Sequence, residues 1–262
     1  MITKKTESHF DGCFRAFFHI KHVYKATDNI YIIQLSAQEN LNFALKAGQY
    51  LELLIEGGTY PFSIANFKGA PNSIELHIKK TPSSQSAEKV VNYLLSQKKV
   101  EARLPLGHCT LDDRCNTPII FLAGGTGFAP IKAMIEFIIE KKMNNDLFLY
   151  WGARKTTDFY LRSLVQSWEK NLPNLKSFFV VSEQTNRNNN HDEKQKNMPP
   201  LAEIRGERIG LVHEKVLEDF ADLALFTVIA NGPSAMVYEA LAQFKKQGLP
   251  ELHMRSDVFS FS

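Results

Sequence analysis

The hydrophobic rhythm of the chain changes once, at Pro118, and that change constrains the fold more than any other feature. Ahead of it the apolar residues come in short runs, which predict strands over 14–22, 30–35, 49–55, 60–64, 74–79 and 100–104. The run Ile74-Glu75-Leu76-His77-Ile78-Lys79 alternates strictly and puts its apolar side chains on one face. Turn residues separate the runs: Ala47-Gly48, Gly57-Gly58, Gly69 to Asn72 and Thr81 to Ser84. Short strands with turns this frequent predict a small antiparallel barrel or sandwich, interrupted by one helix over 87–96. Behind Pro118, Ile119 to Ala123 is a continuous apolar run, as expected of a strand buried on both faces. It feeds Gly124-Gly125-Thr126-Gly127 and then a helix from about Ala129, with Pro130 in its first turn and Lys141-Lys142 at its end. Strands over 147–151, 175–181 and 225–230 then alternate with helices over 158–170, 213–220 and 233–247. That alternation predicts a doubly wound parallel sheet.

Two cores need enough chain to build them. With the N-terminal tail and residues 184–205 set aside, the 262 residues leave enough for two domains of about 100–125 residues each, set at 14–112 and 117–262. Residues 184–205, polar and rich in asparagine, read as a flexible surface insertion, either tolerated or a docking arm for a partner. A hydrophobic content of 44% with 23% charged residues is an ordinary globular mix. The net charge of +3 is scattered rather than gathered into a basic stripe, so no nucleic acid is expected as partner. No apolar run approaches the length of a membrane span, and no apolar stretch follows the N-terminal lysines as in a secretory signal. Cys13, Cys109 and Cys115 read as free thiols of a cytoplasmic protein. No histidine or cysteine spacing suits zinc or an iron–sulfur cluster, so no metal is expected, and no GxSxG elbow marks a hydrolase.

A strand, a glycine turn and a helix start gather backbone N–H groups and the positive end of a helix dipole, which suits a dinucleotide pyrophosphate. Gly124 to Pro130 is such a segment, although the same residues also serve a plain strand-to-helix turn. Val228 to Met236 repeats the pattern around Asn231-Gly232-Pro233, and two such turns in one sheet can line a single crevice. Tyr60-Pro61-Phe62-Ser63-Ile64-Ala65-Asn66 offers an aromatic, a hydroxyl and extended backbone that could flank a flat heteroaromatic ring, or simply form an edge strand.

The ordered set Ala47 to Tyr50, Tyr60 to Ala65, Ile74 to Ile78, Leu104 to Gly107, Leu122 to Phe128, Tyr150 to Arg154, Asn231 to Pro233 with Met236, and Asp257 to Phe261 resembles the ferredoxin-NADP reductase superfamily. The likeness runs from about Phe14 onward and is nearest to the bacterial NAD(P)H:flavin oxidoreductases of the Fre and LuxG type. It implies an N-terminal antiparallel six-stranded Greek-key β-barrel that binds flavin. An α/β doubly wound parallel-sheet domain for the pyridine nucleotide would follow. Hydride would pass from NADH or NADPH to flavin N5 across the cleft between them. Ser63 would then be the catalytic residue, bonded to N5, with Tyr60, Pro61, Phe62, Ile64, His77, Ile78 and Lys79 around the flavin. Gly124, Gly125, Thr126, Gly127 and Phe128 would receive the nicotinamide half, bordered by Asn231, Gly232 and Pro233, while Trp151, Gly152 and Arg154 would lie toward the adenosine. Such chemistry asks the protein to hold two rings stacked and dry, which agrees with the lack of an acid–base pair.

Where that family carries an arginine for the flavin phosphate, this chain has Tyr60, and a phenol has no bidentate grip on phosphate. Lys79 and Lys80 could supply the charge or could be solvated. The glycine-containing pyrophosphate segment of the FAD-retaining branch is replaced by residues 79–84. A weakly held riboflavin or FMN, with FAD a third option, is therefore expected as substrate. Its reduced form would serve a flavin-dependent oxygenase, oxygen or ferric iron. Two alternatives are an FAD-containing electron-transfer reductase for a protein acceptor and a non-enzymatic flavin- or nucleotide-binding protein. Asn231 stands where the electron-transfer branch has cysteine. Phe259 and Phe261 could lie near a bound ring or finish an edge strand, and Arg154, Lys155 or Arg162 could face a 2′-phosphate or solvent.

Overall fold

The computed structural model describes residues 13–81, 84–182 and 206–260, and they divide into two compact units. One holds the residues up to Leu111 together with Lys132–Ile139, the other Asp112–Ile131 with the residues from Glu140 onward. The stretch 184–205 and Phe261 lie outside the described residues.

The first unit is built on β1 (Phe14–Lys25), β2 (Ile30–Ala37), β3 (Tyr50–Ile55), β4 (Gly58–Ser63), β5 (Ser73–Lys79) and β6 (Lys99–Leu106). They form one antiparallel sheet in the order β4-β3-β6-β1-β2-β5, with β6 inserted between β3 and β1 as a Greek key requires. The ends of that order meet. Ile64 and Leu76 form an antiparallel bridge, and the Ala65 N–H donates to the Glu75 carbonyl at 2.8 Å. Closure of this kind gives the edge strands partners and wraps the sheet into a barrel. Alternate residues of the strands, among them Phe18, Ile33, Leu35, Leu51, Leu53, Leu76, Ile78 and Leu104, fill its interior. Helix α1 (Gln85–Ser96) adds Val90, Val91 and Leu94 to the same core. It starts two residues before the apolar spacing does because Ser84 caps it, its hydroxyl accepting from the Ala87 N–H at 3.3 Å. β1 runs past His22, since pairing with β2 continues to Lys25 opposite Tyr31.

The second unit carries β7 (Ile119–Gly124), β8 (Leu147–Ala153), β9 (Leu175–Val181), β10 (Arg208–Ile209), β11 (Thr227–Asn231) and β12 (Met254–Arg255). All pairs are parallel, in the order β10-β9-β8-β7-β11-β12. Among the described residues its helices are α2 (Phe128–Lys141), α3 (Arg162–Asn171), α4 (Val212–Asp219) and α5 (Ser234–Lys246), of which α2 counts with the first unit from Lys132 to Ile139. On one face of the sheet Ile120, Leu122, Tyr150, Val228 and Ala230 lie against Val212 and Val216 of α4 and Val237, Ala240 and Phe244 of α5. On the other, Trp151 stacks on Phe128, which in turn lies 6.2 Å from Trp168 of α3. Cover on both faces is why β7 reads as an unbroken apolar run.

Three details differ from the sequence reading. Helix α3 opens at Arg162, not Asp158, because Phe159 is drawn into contact with Trp151 and Phe179, with ring centroids 5.4 and 5.0 Å away. Strands β10 and β12, two residues each, carry no periodic signal. Residues Asp257–Ser260 form a 3₁₀ turn, so the edge strand is β12, and Phe259 packs 5.7 Å from Tyr238 of α5. Among the described residues no helix is long and apolar enough to cross a membrane, and no group of three or more His, Cys, Asp or Glu is placed to hold a metal ion.

Candidate functional site

The parallel sheet reverses its order between β7 and β11, with β8 to β10 on one side and β12 on the other. Ligands of open α/β sheets bind beyond the carboxyl ends of strands at such a switch point. Both glycine turns stand there, since Ala123 pairs with Asn231 at the ends of the two strands. The turns touch. A Cβ on Gly127 would lie 2.1 Å from the Asn231 carbonyl oxygen, and one on Gly232 would lie 2.9 Å from the Gly124 Cα. Gly125 faces open space but holds φ +55°, a left-handed conformation that costs an L-residue roughly 1–2 kcal/mol. Its carbonyl accepts a 3.0 Å hydrogen bond from the Trp151 indole N–H. Gly124 to Gly127, Thr126 included, are part-exposed, and Pro233 is exposed at the start of α5.

Asn231 is the polar group that this packing leaves over. The residue is only 7% exposed, and its Nδ2 has no hydrogen-bond partner among the described residues. A buried donor left unsatisfied costs about 1–3 kcal/mol, so this amide stands beside the two glycine turns with its donor capacity unspent.

Two residues expected at the nucleotide do something else. Phe128 and Trp151 expose no surface and stack on each other with centroids 4.0 Å apart, so they hold the turn from beneath instead of touching a ligand. Gly152 faces Val212 of α4, where a Cβ would meet the valine at 3.0 Å. Arg154 and Lys155 are exposed past the end of β8. Arg162 is committed elsewhere: it pairs with Glu207, whose side chain is fully buried and also accepts from the Thr156 hydroxyl at 2.6 Å, and its guanidinium stacks 4.4 Å over Phe179.

In the first unit Tyr60 and Phe62 pack toward the barrel core, Pro61 points out, and Ser63 ends β4 half-exposed. The Ser63 hydroxyl makes no hydrogen bond among the described residues. The Tyr60 hydroxyl folds back over Gly58, where it lies 2.7 Å from the position of a Cβ, and sits beside the 3.0 Å ion pair of Lys89 with Glu56. Lys80 pairs with Glu88 of α1 at 3.1 Å, and Lys79 is half-buried at the end of β5. Ile64 and Ile78 belong to the barrel core, at 3% and 1% exposure, and the His77 imidazole is wholly buried. These three side chains, expected around a flavin, can border one only through their backbone.

What buries His77 is an ionic cluster that the sequence reading missed. Its Nε2 lies 2.8 Å from Glu75 Oε1, and the Lys132 ammonium reaches Glu75 Oε1 at 3.2 Å and Glu136 Oε1 at 2.6 Å. A carboxylate only accepts, so the imidazole carries its proton on Nε2. Burial pushes the His77 pKa below the ordinary imidazole value against the pull of Glu75. Burial alone would raise the Glu75 carboxyl, but the bond from His77 and the charge of Lys132 outweigh it and hold the pKa below the usual carboxylate range.

Residues 121–241 match the oxidoreductase NAD-binding domain family. The chain is 34% identical over 232 residues to a CDP-6-deoxy-L-threo-D-glycero-4-hexulose-3-dehydrase reductase of Yersinia pestis, covering 88% of this chain and 65% of that relative. It therefore spans about two thirds of the length of that protein. A protein of Photobacterium leiognathi named "probable flavin reductase" is 28% identical, with 93% of this chain and 97% of that one covered. An Amycolatopsis cytochrome P450 reductase superposes with a TM-score of 0.79 at 22% identity, over 97% of this chain and 72% of that one. In fold the chain is similar to that reductase, and its residues 121–241 are similar to the oxidoreductase NAD-binding domain.

Proposed function

We propose that the chain is an NAD(P)H-dependent oxidoreductase that reduces a diffusible flavin, riboflavin or FMN. The observation that carries the nucleotide half is the buried, unpartnered Asn231 amide set between two glycine turns at the switch point of the sheet. A nucleotide there would meet the backbone donors of Gly125 to Gly127, the positive end of α2 and the Asn231 amide. Gly124, Gly232 and Pro233 would shape the floor, and Arg154 would lie toward the adenosine end, beyond Gly152. Ser63 supplies an uncommitted hydroxyl as donor to flavin N5, with the backbone of Ile64, His77 and Ile78 and the residues Pro61, Phe62 and Lys79 around the ring. When both molecules are bound, the reduced nicotinamide gives up a hydride and the flavin takes it with one solvent proton. The protein's part is to orient two flat rings and exclude water, worth several kcal/mol of pre-paid entropy.

Flavin as a substrate, not a resident group, follows from β4. The strand bears no guanidinium, and Tyr60 turns its hydroxyl to the Glu56–Lys89 pair, leaving the ring as the chief handle. Reduced flavin would then leave for an oxygenase, for oxygen or for ferric iron. Purified protein should oxidise NADH or NADPH only when riboflavin or FMN is added, and absence of any flavin-dependent oxidation of either nucleotide overturns the reading. The names of the Yersinia and Amycolatopsis reductases favour a second reading, in which bound FAD passes electrons to a protein acceptor. A yellow protein as purified, which keeps its colour through dialysis, selects that reading.

A further inference from the structure

Resting on the flavin reading above, we propose that Lys132 is a positioning residue for Ser63, acting through the backbone of residues 64–67. The chain leaves β4 at Ser63, and the residues that follow are fastened by charge. Lys132 is 6% exposed, and each of its three ammonium donors has an acceptor: the Ala65 carbonyl at 3.1 Å, Glu136 Oε1 at 2.6 Å and Glu75 Oε1 at 3.2 Å. The other oxygen of Glu136 accepts the Phe67 N–H at 2.9 Å. The Glu75 backbone takes the Ala65 N–H at 2.8 Å and donates to Asn66 Oδ1 at 2.7 Å, while Asn66 Nδ2 donates to the Ser73 carbonyl at 2.8 Å. His77 completes the set by holding Glu75 Oε1 at 2.8 Å, so the carboxylate is fixed from two sides. Residues 65, 66 and 67 are each tied to this cluster.

An apolar contact between helix and strand would bury the same surface at lower desolvation cost, but it tolerates sliding. Charge-assisted bonds with fixed directions do not. Ser63 stands two residues from Ala65 on extended backbone, so a sideways shift at Ala65 is handed to its hydroxyl. A misplacement of about 1 Å at a reacting group can cost roughly a hundredfold in rate. Burial of an ionic cluster on the outer face of β5 is explained by that need for register, which a merely stabilising contact would not have.

The test is riboflavin affinity, read by quenching of flavin fluorescence, alongside steady-state kinetics. Lys132→Met should weaken riboflavin binding at least tenfold, and Glu136→Gln, which keeps an acceptor for Phe67 but loses the charge opposite Lys132, at least threefold. Val90→Ala, a core deletion in α1 remote in sequence from the cluster, serves as a control for lost stability and should leave the riboflavin Kd within twofold. Riboflavin binding as tight as wild type in both cluster variants overturns the proposal, as does equal weakening in Val90→Ala. Should Lys132→Met not fold, Glu136→Gln decides by the same criterion. Wild-type protein that binds neither riboflavin nor FMN overturns the flavin reading instead, an outcome separate from these.

Discussion

Gly127→Ala is the sharpest test of the nucleotide turn, because the structure fixes both what it should damage and what it should spare. The added Cβ would fall 2.1 Å from the Asn231 oxygen, 2.4 Å from its carbonyl carbon and 2.7 Å from the Gly232 nitrogen. All three are backbone atoms at the end of a central strand, so no side-chain rotation relieves them. One turn must retreat from the other by about 0.9 Å before even a 3.0 Å separation is reached. Overpacking of this kind costs about 1–3 kcal/mol of stability. A shift near 1 Å between the Asn231 amide and the backbone donors of residues 125–127 should cost on the order of a hundredfold in kcat/KM for NADH, or about 2.7 kcal/mol. Gly125→Ala is the internal comparison. Its Cβ meets nothing within 4 Å, and only the φ of +55° opposes it, so a stability loss of roughly 1–2 kcal/mol is expected with a smaller change in kcat/KM. Riboflavin binding should be unaffected in both. The assay is NADH oxidation at saturating riboflavin, with thermal melting in parallel. Gly127→Ala with kcat/KM within threefold of wild type, or Gly125→Ala as damaging as Gly127→Ala, refutes the reasoning.

Asn231→Ala removes an orphaned donor, so its melting temperature should hold or rise while the KM for NADH increases about three- to tenfold, the usual worth of one hydrogen bond; a lower melting temperature with unchanged KM would contradict the role given to the amide. Tyr60→Arg should tighten FMN by about tenfold with little change for riboflavin, since a guanidinium pairs with phosphate alone. Equal effects on the two flavins, measured by fluorescence quenching, would show that position 60 does not reach the phosphate. Burial holds the His77 pKa below its ordinary 6.5, so the unfolded chain takes up a proton before the folded one does and stability falls as the pH drops below about that value. Glu75 has the same sign and adds a further loss below about 4.5. Melting temperatures of His77→Gln and wild type between pH 7.5 and 5.0 should therefore converge toward the acid end, and parallel curves would argue against a neutral buried imidazole.

The architecture was legible because each half of the chain writes its burial in its own period. Residues 74–79 alternate since one face of β5 lines the barrel, and residues 119–123 do not since helices cover both faces of β7. What escaped has no period to show. β10 and β12 are two residues each, held by Val180 and Val181 in one case and by Val228 and Ile229 in the other. The late start of α3 is set by rings on two strands, and one of them, Phe179, lies too far along the chain for a window centred on Asp158 to contain it.

The glycine turns were legible for the same reason: close approach excludes a side chain, and glycine records that in the sequence. The ionic cluster leaves a weaker mark. Glu75 and His77 occupy the outward positions of β5, and His77 was expected at a flavin, because the helix that covers them comes much later, with Lys132 lying 67 positions from Ala65. The mark is in α2 itself. Phe128, Ala129, Ile131, Ala133, Met134, Ile135, Phe137 and Ile138 are buried and leave only a narrow polar stripe, and near the start of the helix even that stripe is covered, with Lys132 6% exposed. Lys132 and Glu136, four residues apart within that run, therefore had to find partners inside the protein. The carboxylate and carbonyl groups that answer them are those of β5 and of the segment after Ser63, which ties the order of the backbone proposed to face the flavin to two charges in a largely apolar stretch of helix.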